Sequence, residues 1–186
     1  GVFYYDYQDY QAFIFSGIAS QVVNHDAEIF GAEIELTVLP AEGWELQLGL
    51  SFLDATVNNV GASVGGSGQD EDMVLAPDFS ANVAVRKTWQ FNDGSMLLAQ
   101  FDGAYVGERE FNTNATVLTS GDAYELYNAR VNYTLPGGAW ELSGFVRNLT
   151  DEEYQVYGYD IAADFGNTLD IYGPPRWSGV QARYTW

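Results

Sequence analysis

Phe30-Gly31-Ala32-Glu33-Ile34-Glu35-Leu36-Thr37-Val38 alternates apolar side chains with polar or absent ones, with no break in the pattern. Successive side chains of a strand point to opposite faces, so this stretch reads as a strand with one greasy and one wet face. The same alternation recurs further on. Trp44, Leu46, Leu48, Leu50 and Phe52 interleave with Glu45, Gln47, Gly49 and Ser51. Tyr127, Ala129, Val131, Tyr133 and Leu135 interleave with Asn128, Arg130, Asn132 and Thr134. Such runs reach the ~9–11 residues that a tilted strand needs to cross a bilayer, whereas ordinary strands average about 5–6. The pattern predicts an all-β protein: the antiparallel, up-and-down wall of a transmembrane β-barrel.

About eight strands are expected along the chain, with ends uncertain by about 2–4 residues. They run over Val2–Phe15, Val23–Leu39, Trp44–Asn58, Asp78–Phe91, Met96–Glu110, Ala123–Leu135, Trp140–Tyr157 and Arg176–Trp186. Pro40-Ala41-Glu42-Gly43, Asn92-Asp93-Gly94 and Pro136-Gly137-Gly138 are turn sequences, the second of the Asp-Gly kind that hairpins favour. A slip of the alternation near Phe145-Val146 suggests a bulge. Connections are predicted long after strands one, three, five and seven and short after the others, the asymmetry of outer-membrane barrels. On that basis Ser16–Gln21, Val60–Leu75, Asn112–Asp122 and Tyr159–Pro174 face outside and both termini lie on the periplasmic side.

The chain has 186 residues, with 13 Tyr, 11 Phe and 5 Trp, a richness suited to the aromatic girdles of such barrels. No apolar run reaches the ~18 residues of a transmembrane helix, so a membrane location requires a closed barrel with no open sheet edge in lipid. With 26 acidic against 7 basic residues the net charge is −19, which excludes nucleic acid as a partner. The charge suits solvated loops; acidic outer loops could also bridge divalent cations to lipopolysaccharide. Cysteine is absent, so neither disulfides nor thiolate metal sites are possible. Gly1-Val2-Phe3-Tyr4-Tyr5 reads as strand at once, with no signal-peptide pattern, so a portion of a longer protein is expected.

A soluble β-sandwich or lipocalin-like barrel would turn the apolar faces inward. Strand length, alternating loop lengths and the charges on the polar face (Glu33, Glu35, Arg86, Asp102, Arg130, Arg183) favour the inverted arrangement.

Val146-Arg147-Asn148-Leu149-Thr150-Asp151-Glu152-Glu153-Tyr154 resembles the Asn-Leu-x-Asp-x-x-Tyr segment in the penultimate strand of TonB-dependent outer-membrane receptors. Pro174-Pro175-Arg176-Trp177 and the alternating run to Trp186 are similar to that family's last strand. Phe3-Tyr4-Tyr5-Asp6-Tyr7, Gly31-Ala32-Glu33-Ile34-Glu35 and Ala76-Pro77 also look like family segments. The resemblance implies that residues 1–186 are the C-terminal part of a barrel of about 22 strands, without the plug. It implies outer-membrane uptake of an iron–siderophore complex, cobalamin or an oligosaccharide, driven through the TonB complex. The implied partners are the remaining barrel and its plug, the TonB complex, lipopolysaccharide, the barrel-assembly machinery, which reads a terminal signal here comprising Tyr184 and Trp186, and the nutrient itself. The alternative is a small closed barrel of eight strands with a structural or adhesive role.

No catalytic residue, cofactor or metal is expected. His25 beside Asp26 lacks a nucleophile-elbow serine, and Gly65-Gly66-Ser67-Gly68 lacks the lysine of a phosphate loop. Asp70-Glu71-Asp72 could ligate calcium but lacks the spacing of an EF-hand, and Asn114-Ala115-Thr116 is an empty glycosylation match. Glu33, Glu35, Glu45, Gln47, Arg86, Asp102 and Arg130 are predicted to line the bore. Tyr105, Phe111, Tyr157 and Tyr159 are predicted ligand contacts, because aromatic tips at a barrel mouth suit large ligands.

Overall fold

The computed structural model describes residues 1–16, 19–60, 68–112 and 120–186. Eight strands form one antiparallel sheet in chain order. They are β1 (Val2–Ser16), β2 (Ala19–Val38), β3 (Trp44–Val60), β5 (Phe79–Gln90), β6 (Met96–Val106), β9 (Tyr124–Thr134), β10 (Trp140–Arg147) and β13 (Trp177–Tyr184), with β4 (Gln69–Asp72) added on β3. Every neighbour along the path is antiparallel, the up-and-down order that the alternation predicts. The path is open, with β1 and β13 at its two edges, so the chain is a wall and not the closed small barrel of the alternative reading.

The register decides the faces, because directly opposed residues share a side. Ile34 lies opposite Leu50, Leu48 opposite Val83, and Val131 opposite both Ala99 and Gly144. This apolar face is not sealed in a core: Ile34 is 51% exposed, Leu142 46% and Val180 91%. The buried hydrophobics among the described residues are few and mostly small: Ala12, Ala27, Val57 and Val60, which form one cluster, together with Ala55 and Phe111. A sandwich with a dry centre would show the reverse.

Aromatics edge the apolar face at both heights. Phe52 packs on Phe79 at 4.9 Å and Phe79 on Tyr105 at 5.7 Å towards the long connections. Trp44, Trp89, Trp140 and Tyr184 stand towards the short turns, Trp140 packing on Tyr184 at 5.0 Å. From Phe79 to Trp89 is roughly 33 Å of strand at ~3.3 Å per residue, and a tilt near 40° reduces this to ~25 Å. That is the height of a lipid-facing band.

Several expected details change. Ser16 pairs with Ala19, so β1 and β2 extend into the connection predicted over Ser16–Gln21 instead of ending below it. No register shift occurs at Phe145-Val146; Phe145 stands on the polar face between Arg130 and Gly179, which explains the slip without a bulge. The shifts in the wall lie at Tyr7/Tyr10 and Val57/Val60, beside the left-handed residues Asp9 and Asn59. The strand predicted to reach Tyr157 stops at Arg147, because Asn148 (φ 50°) and Asp151 (φ 60°) turn the chain. The following segment is no plain loop: β11 (Gln155–Asp160) pairs with β12 (Thr168–Tyr172) around a four-residue helix α1 (Ala162–Phe165). β7 (Arg109–Glu110) and β8 (Ser120–Gly121) similarly pair above β6 and β9. Gly65-Gly66-Ser67-Gly68 lies outside the described residues apart from Gly68, and Asn114-Ala115-Thr116 lies outside them entirely.

Candidate functional site

Two regions carry chemistry: the polar face of the wall, and the cluster at its long-connection end. On the polar face, Glu33 opposes Ser51, Glu35 opposes Gly49, Thr37 opposes Gln47, and Glu45 opposes Arg86. Arg86 opposes Gln100, and Gln100 opposes Arg130. Asp102 is two residues beyond Gln100 and shares its side. All seven residues predicted to line the bore thus share one face, opposite the apolar one.

Their side chains join hands across the strands. Gln47 Nε2 donates to Glu45 Oε1 at 2.6 Å, and an Arg86 guanidinium N–H reaches the same oxygen at 2.8 Å. Arg86 Nε donates to Gln100 Oε1 at 3.0 Å, and Gln100 Nε2 to Asp102 Oδ1 at 3.1 Å. Asn128 Nδ2 donates to Asp102 Oδ2 at 2.7 Å and its own Oδ1 accepts Asn148 N–H at 3.0 Å. One continuous polar chain therefore runs from β3 to the end of β10. Charge-assisted bonds are the strong members of such a chain, and each linked side chain loses rotational freedom. Arg130 is held separately, donating to Asn132 Oδ1 at 2.7 Å and Ser143 Oγ at 3.2 Å. Beside this chain lies a cleft of about 700 Å³ lined by Gln100, Asp102, Arg130, Arg147, Tyr154 and Trp177 among others.

Asn148 ends the chain and begins a latch. It is only 5% exposed; its Nδ2 donates to the Glu152 carbonyl at 2.8 Å and the Pro174 carbonyl at 3.2 Å, and its Oδ1 accepts Glu152 N–H at 2.8 Å. Leu149 N–H donates to the Tyr127 carbonyl at 2.7 Å, and Arg176 N–H to Asp151 Oδ1 at 2.8 Å. The Tyr154 ring lies over Gly173, where any Cβ would collide with it. The Asn-Leu-x-Asp segment therefore ties β9, β10 and the start of β13 together.

At the long-connection end, Arg109 is the centre. It is 8% exposed, donates to the carbonyls of Gln155 and Asp122, and lies 5.1 Å from the Phe111 ring and 4.8 Å from the Tyr124 ring. Tyr124 stacks on Tyr154 at 4.7 Å, Phe111 meets Tyr157 at 5.6 Å, and Tyr157 meets Tyr159 at 4.7 Å. Three of the four predicted ligand contacts are thus gathered in one place, although in different roles. Phe111 is 1% exposed and forms the interior of the cluster, while Tyr157 and Tyr159 stand half-buried at its edge. Tyr105 is elsewhere: opposite Ala81 and against Phe79, it belongs to the aromatic row of the apolar face. Arg109, Tyr124, Tyr154 and Gln155 were not anticipated. The available signal was an arginine set between Glu108 and Glu110 in a chain this short of bases.

Glu110, next to Arg109, has a buried Oε2 without a hydrogen-bond partner among the described residues. Burial first, then the charges of Asp72, Glu71 and Glu108, push its carboxyl pKa up. A raised folded-state pKa means that the protonated form favours the fold. That contribution is complete below about pH 4 and disappears as pH rises through the raised value. Glu110→Gln should therefore raise the thermal midpoint of the full-length protein at pH 7 and leave it unchanged at pH 4. The gain should be at most about 1 kcal/mol, since the group is only partly shielded from solvent. A midpoint that falls equally at both pH values would contradict this.

Asp70-Glu71-Asp72 lies on β4, with Asp70 Oδ1 accepting Asn59 N–H at 3.0 Å. Among the described residues no group of three or more His, Cys, Asp or Glu is arranged to hold a metal. His25 pairs with Tyr10 in the sheet.

An open antiparallel wall with an aromatic-edged apolar outside and a hydrogen-bonded polar inside is a piece of a membrane β-barrel. The family model for TonB dependent receptor-like β-barrels matches residues 1–149, and the chain belongs to that family. Among solved structures it is similar to the ferric yersiniabactin uptake receptor FyuA from Yersinia pestis, with a TM-score of 0.78 and 19% identity over 98% of this chain and 26% of that one. It is also similar to the siderophore receptor PiuA from Acinetobacter baumannii (TM-score 0.69, 16% identity, 97% of this chain, 24% of that one). The copper transporter OprC gives a TM-score of 0.70 at 17% identity, over 96% of this chain and 27% of that one. The chain spans about a quarter of the length of these proteins.

Proposed function

We propose that these residues are the C-terminal barrel wall of an outer-membrane receptor that imports a scarce, large nutrient with energy from the TonB complex. An iron–siderophore complex is the first cargo to test, ahead of cobalamin or an oligosaccharide, because the similar structures include receptors for ferric chelates. The observation that carries this reading is the pairing of opposed faces over the whole wall: exposed aliphatics on one side, a side-chain hydrogen-bond chain from Glu45 to Asn148 on the other. The polar face would line the bore against a plug supplied by the rest of the protein. The long connections would face outwards near lipopolysaccharide, and the short turns and the end of β13 would lie on the periplasmic side; Val2, level with Ala32, Phe52 and Phe79, instead starts β1 at the long-connection border, contrary to the expected periplasmic start.

Tyr157 and Tyr159 are the ligand contacts proposed from this chain, with Phe111 and Arg109 as their support and Tyr105 left to the lipid boundary. Tyr184 at the end of the edge strand and Trp186 just beyond it, exposed and 6.4 Å apart, are proposed as the signal that the barrel-assembly machinery reads. No step of bond chemistry is assigned to the chain.

The test is uptake by cells lacking and then regaining the full-length gene, with labelled ferric siderophores, cobalamin and maltooligosaccharides supplied separately. Accumulation of one of them that requires both this protein and an intact TonB complex is expected. Uptake independent of TonB, or none with any ligand, would count against the proposal. Tyr157→Ala with Tyr159→Ala should weaken ligand binding at least tenfold, as loss of two half-buried aromatic contacts of ~1 kcal/mol each implies.

A further inference from the structure

Of the seven basic residues, all of which lie among the described residues, six are accounted for by the polar face or the latches. Arg86, Arg130, Arg147 and Arg183 project from the polar face, Arg109 sits in its aromatic cluster, and Arg176 lies 3.6 Å from the Asp151 carboxylate. Lys87 alone stands on the apolar face. It opposes Trp44 on β3 and Ala99 on β6, one row from the short turns. Its ammonium lies 5.3 Å from the Trp44 ring and 5.7 Å from the Trp89 ring, and it donates to the Glu42 carbonyl at 2.8 Å. No carboxylate of the described residues is within ion-pair distance of it.

A cation here is costly unless something anionic meets it, because the rows above it (Val85, Val83, Ala81) are hydrocarbon-facing. The carbonyl and the two rings fix the Nζ at the border of the apolar band while leaving donors unspent, since an ammonium carries three. The other border of the same face is its opposite in sign: Asp6, Glu28, Asp54 and Glu125 stand there, beside Tyr4, Phe30 and Tyr105. An anionic headgroup is repelled at that border and attracted at this one.

Resting on the membrane reading above, we infer that Lys87, Trp44 and Trp89 form a binding site for the phosphate of a glycerophospholipid headgroup at the short-turn border of the wall. The phosphate takes the free ammonium donors, the tryptophan rings flank the glycerol region, and the acyl chains lie along Val85 and Leu46. The phospholipid is favoured over lipopolysaccharide because the anionic sugar lipid would belong with the long-connection border, where this face carries only carboxylates.

The full-length receptor, purified in mild detergent, is tested by native mass spectrometry with added phosphatidylglycerol and, separately, with uncharged diacylglycerol. Wild type should retain phosphatidylglycerol about fivefold better than Lys87→Met, as expected of one lysine–phosphate contact, with diacylglycerol unaffected. Lys87→Arg should restore most of the difference. Folding of each variant is read from heat-modifiable migration on a cold gel. Equal retention of phosphatidylglycerol by folded wild type and Lys87→Met would overturn the inference alone. Retention of neither lipid, with no heat-modifiable band, would overturn it together with the membrane reading. Should Lys87→Met fail to fold, a photoactivatable phospholipid on wild type decides. Cross-links in the peptides bearing Trp44 or Lys87 support the site, whereas cross-links only elsewhere, or displacement by lipopolysaccharide, defeat it.

Discussion

Asn148→Ala is expected to lower the stability of the full-length receptor by about 4 kcal/mol. Three side-chain bonds disappear, to Glu152 N–H, the Glu152 carbonyl and the Pro174 carbonyl, each worth about 1 kcal/mol net. The left-handed backbone at φ 50° adds its own cost, because asparagine tolerates that conformation better than alanine. Asn148→Gly separates the two contributions. It relieves the backbone and removes the bonds, so it should recover roughly 1 kcal/mol of the loss. Denaturant midpoints in lipid vesicles measure both. A loss below about 1 kcal/mol for the alanine variant would mean that the latch is replaced by water at little cost.

Val131→Arg should cost about 2–4 kcal/mol, the penalty for a cation near the middle of a lipid-facing band. Val131 is 45% exposed in the isolated wall, between Ala99 and Gly144 on the apolar side, so nothing in the sheet clashes with a longer side chain. The penalty therefore reports the surroundings and not packing. The same change one residue on, Asn132→Arg, falls on the polar face and should cost well under 1 kcal/mol beyond the lost bond from Arg130. Folding yields into vesicles compare the two. If both substitutions are tolerated alike, the apolar face does not meet hydrocarbon.

Much of this was open to reading from residue order. Alternation puts Glu33, Gln47, Arg86 and Arg130 on one face, as the register does, since a period of two is a local property of the backbone. Tyr105 shares the period-two phase of Leu97, Ala99 and Phe101, so the same alternation puts it on the apolar face. The three short turns were legible through their Gly, Pro and Asp-Gly chemistry, and Gly94 and Gly137 indeed take positive φ. The end of β10 was not legible, because nothing in Val146-Arg147-Asn148 announces that Asn148 and Asp151 turn left-handed. Their stability comes from Pro174 and Arg176, about 25 residues away in sequence.

Sequence alone was sufficient for a membrane-crossing antiparallel wall and for which side chains share a face, because those follow from the pleat and from the period of hydrophobicity. The cross-strand chain from Glu45 to Asn148, the Arg109 aromatic cluster and the setting of Lys87 between two tryptophans were decided by register. Register depends on pairing between strands tens of residues apart, and local preference carries no record of it.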